Sequence, residues 1–132
     1  MALLAALVLS GSVRPAKADA PLVVNLLIVN DAYEGRPAPA VPGAAEGATR
    51  LARRLAAHGP VRLLRNFEGG ALRARVRDFA AGIAPGSVVT VSYFGLGRPD
   101  EAGDDNRLLL SGRAGATLAL DGEVLAPIRA RD

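Results

Sequence analysis

"LRARVRDFAAGIAPGSVVTVSYFGLG", residues 72–97, holds a helix, a turn and a strand in immediate succession. Leu72, Val76, Phe79, Ala80 and Ile83 recur at the spacing that places them on one stripe of a helix, while Arg73, Arg75 and Arg77 fall mostly outside it. Pro85-Gly86 closes that helix, because proline removes a backbone donor and glycine takes turn conformations that other residues avoid. Residues 88–94 then form an uncharged run rich in β-branched and aromatic side chains, the composition of a strand inside a sheet. The strand breaks at Gly95-Leu96-Gly97 and is expected to spill into an acidic loop that carries Asp100, Glu101, Asp104 and Asp105. In α/β proteins the place just past the carboxyl end of a strand is where a ligand or catalytic residue usually sits. Here it holds a leucine.

Working outward, the same alternation repeats upstream. "PLVVNLLIV", residues 21–29, reads as a central strand buried on both faces, and Asn30-Asp31 ends it as turn formers. A proline- and glycine-rich loop, "EGRPAPAVPG", leads to a helix starting near Gly43 or Ala44, in which Ala48, Leu51, Ala52 and Leu55 share one face and Arg50, Arg53 and Arg54 lie on others. His58-Gly59-Pro60 is expected to end it: the His58 imidazole meets the last carbonyls, Gly59 takes the left-handed capping conformation, and Pro60 cannot continue the helix. A short second strand, "VRLLRNF", begins at Val61. Strand, helix, strand, helix, strand with tight links predicts right-handed crossovers and a parallel sheet with helices on both faces. Downstream, "NRLLLSG" reads as a short extended piece and "LDGEVLAPI" as two helical turns before Pro127.

The chain has 132 residues, enough for one domain that buries roughly two thirds of its unfolded surface. Its aromatic residues are Phe67, Phe79, Phe94, Tyr33 and Tyr93 alone, so the core must be built from Leu, Val, Ile and Ala. Sixteen basic residues, all arginine but for Lys17, face thirteen acids, and the net charge of +3 is far from that of a basic nucleic-acid module. With no cysteine, disulfides, thiolate metal sites and a cysteine nucleophile are excluded. Residues 2–9 form an apolar stretch of signal-peptide length, followed by the small-x-small sites Ala16-Lys17-Ala18 and Ala18-Asp19-Ala20; no positive charge precedes it. The expectation is a leader over residues 1–20, a domain over 21–132, and a periplasmic or secreted protein, with a cytoplasmic one as the alternative.

Most of the candidate positions carry no evident chemistry. Gly95-Leu96-Gly97 follows a strand, but the dinucleotide fingerprint needs a glycine where Asp100 stands and a helix where Pro99 and the acids stand. Asp100, Glu101, Asp104 and Asp105 lack the alternating ligands and glycine of a calcium loop and read as a solvated turn. Ser92 lies within a strand, without the sharp Gly-x-Ser-x-Gly turn that exposes a nucleophile. The helix arginines read as charged outer faces.

At this point the pattern resembles the caspase and metacaspase superfamily, over residues 23–128. Asn30 and Tyr33 in "IVNDAY" match its Ile-Gly-Asn-x-x-Tyr, with Val29 in place of the glycine. "VPGAAEGATRLARRLAAHG" is similar to the entry into its first helix, with Gly43, Ala44, Ala48 and Leu51 retained and Glu46 and Gly47 where Asn and Asp are expected. Gly95 and Gly97 align with the glycines of its Ser/Ala-Gly-His-Gly, and Leu96 occupies the histidine position. "DDNRLLL" and "LALDGEVLAPI" resemble the stretches that follow.

The resemblance implies an α/β three-layer sandwich with a mainly parallel sheet, reduced to about its first half, with strands 23–29, 61–64 and 88–94 ordered two-one-three. It implies a cysteine-endopeptidase architecture whose catalytic histidine is replaced at Leu96 and whose cysteine is missing. No catalytic residue, cofactor or metal is therefore expected. The reading is an inactive, protein-binding pseudopeptidase, with a protein partner or a second copy docking at an exposed strand edge, and with neither nucleic acid nor, once the leader is gone, membrane as partner. Alternatives are a fragment of a cysteine endopeptidase whose cysteine-bearing half is lost or encoded separately, and an Arg-rich module for anionic polymer. The open edge is residues 88–94, unless "NRLLL" folds back over it.

Overall fold

The computed structural model describes residues 22–33, 41–112 and 115–131. The expected leader, residues 1–20, lies outside them. Three strands, β1 (Val23–Val29), β2 (Val61–Arg65) and β3 (Val88–Phe94), form a parallel sheet in the order β2-β1-β3. The links are α1 (Ala44–Leu55) and α2 (Gly69–Ala81). This agrees with the expected alternation, strand order and, within a residue, the expected strand limits.

Each helix takes one face of the sheet, as period-two strands and period-3.6 helices require. Leu26 and Ile28 of β1 point to the α2 side, where Leu72, Val76, Phe79, Ala80 and Ile83 are all buried with them. Leu27 and Val29 point to the other face and meet Ala44 and Ala48 of α1, with Leu51, Ala52, Leu55 and Phe94 packed around them. Leu26, Leu27 and Leu72 have no exposed surface, and each contributes on the order of 1.5–3 kcal/mol through burial. One buried position in the central strand is polar. Asn25 donates to the Pro60 carbonyl at 3.2 Å and accepts the Thr90 hydroxyl at 2.6 Å, so its amide ties β3 to the turn that enters β2.

Two details of the first helix differ from the expectation. Gly59 is not in the left-handed region; a Cβ there would stand 1.9 Å from the Val23 carbonyl oxygen, so glycine is required by close approach of two chain segments. His58 lies beyond the helix and is exposed, and its backbone N–H, donating to Leu55 at 2.8 Å, makes the bond expected of the imidazole.

The larger difference is a second sheet. β4 (Gly97–Pro99), β5 (Asn106–Leu109) and β6 (Thr117–Ala119) pair antiparallel in that order. The expected acidic loop is thus the tip of a hairpin: Gly97 opens β4, and Asp100 donates its N–H to Asp105 at 3.0 Å. The carboxylates there bind backbone. Asp100 Oδ1 accepts from Gly103 and Asp104, and Asp105 accepts from Asn106, Asp121 and Gly122. After β6 a π-helical turn, Leu120–Leu125, runs into a short helix α3 (Ala126–Arg129), so Pro127 lies in the first turn of a helix, where its missing N–H costs nothing. Arg73 of α2 reaches this turn and pairs with Glu123 at 2.5 Å, while Arg75 and Arg77 stay exposed. No helix among the described residues is long and apolar enough to cross a membrane.

Candidate functional site

The carboxyl ends of the three parallel strands converge on one polar cluster. β1 ends at Asn30, which is fully buried and donates from Nδ2 to the Leu109 carbonyl at 3.0 Å. β2 ends at Asn66, whose φ of 53° places it in the left-handed region that asparagine tolerates better than most residues. That twist turns its amide back over β1. Asn66 Oδ1 accepts the Asp31 and Ala32 N–H groups at 2.9 and 3.3 Å, and its Nδ2 donates to Asp31 Oδ1 at 2.7 Å. Arg65 donates to Asp31 Oδ2 at 3.0 Å. Burial opposes ionisation of Asp31, but the bonds from Asn66 and Arg65 together outweigh it and hold the carboxyl below its ordinary value.

The end of β3, at Tyr93 and Gly95, meets Tyr33 from the segment that follows β1. The Tyr33 hydroxyl donates to the Asn30 carbonyl at 2.7 Å and accepts the Leu96 N–H at 2.9 Å. The Tyr93 hydroxyl lies 2.8 Å from the Leu96 carbonyl and 2.9 Å from the Leu109 carbonyl. Burial and the neighbouring Tyr33 hydroxyl push Tyr93 well above the ordinary range of a phenol. A Cβ on Gly95 would stand 2.4 Å from the Tyr93 oxygen and 2.8 Å from that of Tyr33, so only glycine fits between them. Leu96, which stands where the resemblance places histidine, is thus held by both of its backbone polar groups.

The chemistry open to this arrangement is narrow. Asp31 has both oxygens engaged and is held ionised, which suits an ion pair and not a proton shuttle. Ser111 adds an aliphatic hydroxyl to the cluster, and its partners among the described residues are the amide oxygens of Asn66 at 3.0 Å and Asn30 at 3.4 Å. Neither accepts a proton, so nothing activates it as a nucleophile. Ser92 is half-buried within β3, and His58 lies in the turn before β2, at the opposite end of that strand. Beside the cluster an open cleft of about 530 Å³ is lined by Asp31, Gly43, Ala45, Glu46, Arg65 and Asn66. Among the described residues no group of three acidic or histidine side chains is placed to hold a metal ion.

Asn30, Tyr33 and Leu96 were singled out from sequence, and the fold brings all three together. Asp31, Asn66, Tyr93 and Ser111 were not. The usable signal was that both β1 and β2 end in asparagine, a residue suited to bonding a neighbouring strand end.

The remaining feature is the side of β3 that no strand among the described residues pairs. Val88 donates to Leu22 and Phe94 accepts from Asn30, so the even-numbered residues of β3 bond to β1. The backbone groups of Val89, Val91 and Tyr93 therefore point away from it. β5 pairs only within the second sheet, so "NRLLL" does not cover this edge. No residue of β3 is charged.

No protein-family model matches the chain, and no curated protein matches it.

Proposed function

We propose that the chain is a catalytically inactive caspase-like domain that acts by binding protein, and that a second copy of the chain docks on the free edge of β3. The observation that carries this reading is Leu96. At the position where the resemblance calls for a general base, the side chain has no proton to transfer, and both backbone polar groups of the residue are engaged by tyrosine hydroxyls. What stays unspent at this side of the sheet is the bonding capacity of Val89, Val91 and Tyr93. A two-fold axis through Val91 pairs that residue with itself, Val89 with Tyr93 and Val88 with Phe94, an uncharged and self-complementary ladder.

Purified protein is expected to cleave no Arg-, Lys- or Asp-directed peptide, and Leu96→His to rescue nothing, since a base without a nucleophile has nothing to activate. Robust amidolysis that survives removal of contaminants overturns the inactive half of the proposal. For the binding half, Val91→Pro deletes an N–H that faces the free edge, where proline is tolerated in a strand. Light scattering on size-exclusion fractions should give a dimer for the wild type and a folded monomer for the variant; a wild type that stays monomeric at high concentration overturns it.

The free edge also favours a second reading, in which a separately encoded cysteine-bearing half supplies the neighbouring strand. Leu96 counts against activity even then. An Asp-x-Cys coding segment in the genomic DNA downstream of Asp132 would separate this reading from the first.

A further inference from the structure

The second sheet sets two arginines against each other. In the β4–β5 pair Arg98 stands directly opposite Arg107. The bonds Leu109 N–H to Leu96 and Asp100 N–H to Asp105 flank this position at two-residue steps, so Arg98 and Arg107 form a hydrogen-bonded antiparallel pair with side chains on one face. Like charges opposed in this way repel, and a hairpin normally avoids them. Among the described residues neither guanidinium lies within ion-pair distance of a carboxylate; the four ion pairs there use Arg50, Arg65, Arg73 and Arg129.

Three of the nearby acids, Asp100, Asp105 and Glu123, are engaged elsewhere. Asp100 Oδ1 and both oxygens of Asp105 accept backbone N–H groups of the hairpin and the π-helical turn. Glu123 is bound by Arg73 and by the Ala119 N–H. The field of Arg107 reaches Asp105 and Glu123 without a contact. A polar cleft of about 480 Å³ is lined by both arginines together with Thr117, Asp100 and Glu101.

We infer that Arg98 and Arg107 form a binding site for a phosphate monoester, with the Thr117 hydroxyl as a third donor. Two guanidinium forks match the charge of a dianion and offer it bidentate bonds, and the bound anion removes the repulsion between them. The two acids of the same lining select for a small group, because a polyanion such as nucleic acid would run against Asp100 and Glu101. The inference is independent of the proposed dimer, since it uses the other sheet.

The probes are inorganic phosphate, sulfate, acetate and a short phosphoserine peptide, titrated at constant ionic strength and followed by NMR shifts of β4 and β5. Phosphate and sulfate should bind saturably and acetate should not. Phosphate binding should weaken as pH falls through its second pKa near 6 to 7, while sulfate binding holds. Arg98→Gln and Arg107→Gln should each weaken phosphate by about tenfold, equivalent to ~1.4 kcal/mol, whereas Arg62→Gln leaves it unchanged. Glu101→Gln should tighten it, which keeps the test decisive even if an arginine variant folds poorly. A peptide that binds more tightly than phosphate identifies a phosphorylated protein as the source, and equal affinity a free phosphate ester. No saturable response to phosphate, or a double variant that binds it as the wild type does, overturns the inference.

Discussion

The two edges of the parallel sheet are built on opposite plans. β2 carries Arg62 and Arg65, and the exposed side chains of this edge put charge beside its unpaired backbone. β3 likewise has an outer side that no strand among the described residues pairs, and it carries no charge in seven residues. Edge strands are ordinarily blunted by charge, proline or a bulge, so β2 is a finished surface and β3 an unfinished one. The difference extends to the strand ends. β2 is bracketed to β1 by Asn66 and the Arg65–Asp31 pair, whereas β3 is tied through tyrosine hydroxyls to the second sheet.

The largest effect tests the unfinished edge. Val91→Lys places an ammonium at the margin of the α2 core and in the middle of the proposed ladder, at a cost of several kcal/mol in a dry interface. Light scattering and thermal melts should show the dimer lost or the fold undone, and a variant that dimerises and melts like the wild type removes the edge from the account. Next comes the bracket at the finished edge. Asn66→Ala loses both the left-handed tolerance and the amide bonds, and should cost about 2–4 kcal/mol by denaturant unfolding. Asn66→Gly restores only the backbone freedom and should recover roughly 1 kcal/mol of it.

A smaller effect appears with pH. Because the folded pKa of Asp31 lies below its unfolded value of 3.8, its contribution is fully present above that value and is lost as pH falls through the folded one. The stability gap between wild type and Asp31→Asn should therefore shrink on acidification below the unfolded value and be lost as pH falls through the lower folded one; a gap that widens contradicts the ion-pair geometry. Smallest of all is Leu63→Lys on β2, where the side chain is 40% exposed. It should change stability by less than about 0.5 kcal/mol and leave the dimer intact.

What the sequence disclosed follows the strength of its periodicities. The stripe of Leu72, Val76, Phe79, Ala80 and Ile83 and the uncharged runs 23–29 and 88–94 carry enough residues for helix and strand to be told apart, while the strand order came from the resemblance. Of the second sheet only β5 was legible, as the extended piece "NRLLLSG", and its pairing was not, for the opposite reason. Its strands read "GRP", "NRLL" and "TLA", three or four residues without alternation, and they are held by pairing with one another and not by propensity. Asn25 and Gly59 were illegible because each answers to a distant neighbour, Thr90 in one case and the Val23 carbonyl in the other. Within the candidate site, Asn30 and Tyr33 came from the resemblance. Asp31 and Asn66 did not, since adjacency in sequence says nothing of an amide that folds back across two strand ends.

The setting of Leu96 bears on how such a chain changes over generations. Gly95 beside it admits no other residue, because two hydroxyls fill the space a side chain would need. Residue 96 gives the fold two backbone bonds, and both are available from any amino acid but proline, which lacks the N–H. A lineage whose survival no longer depends on the chemistry of this position is free to alter its side chain by drift, with the scaffold exerting no counter-selection through those bonds, while its glycine neighbour stays fixed.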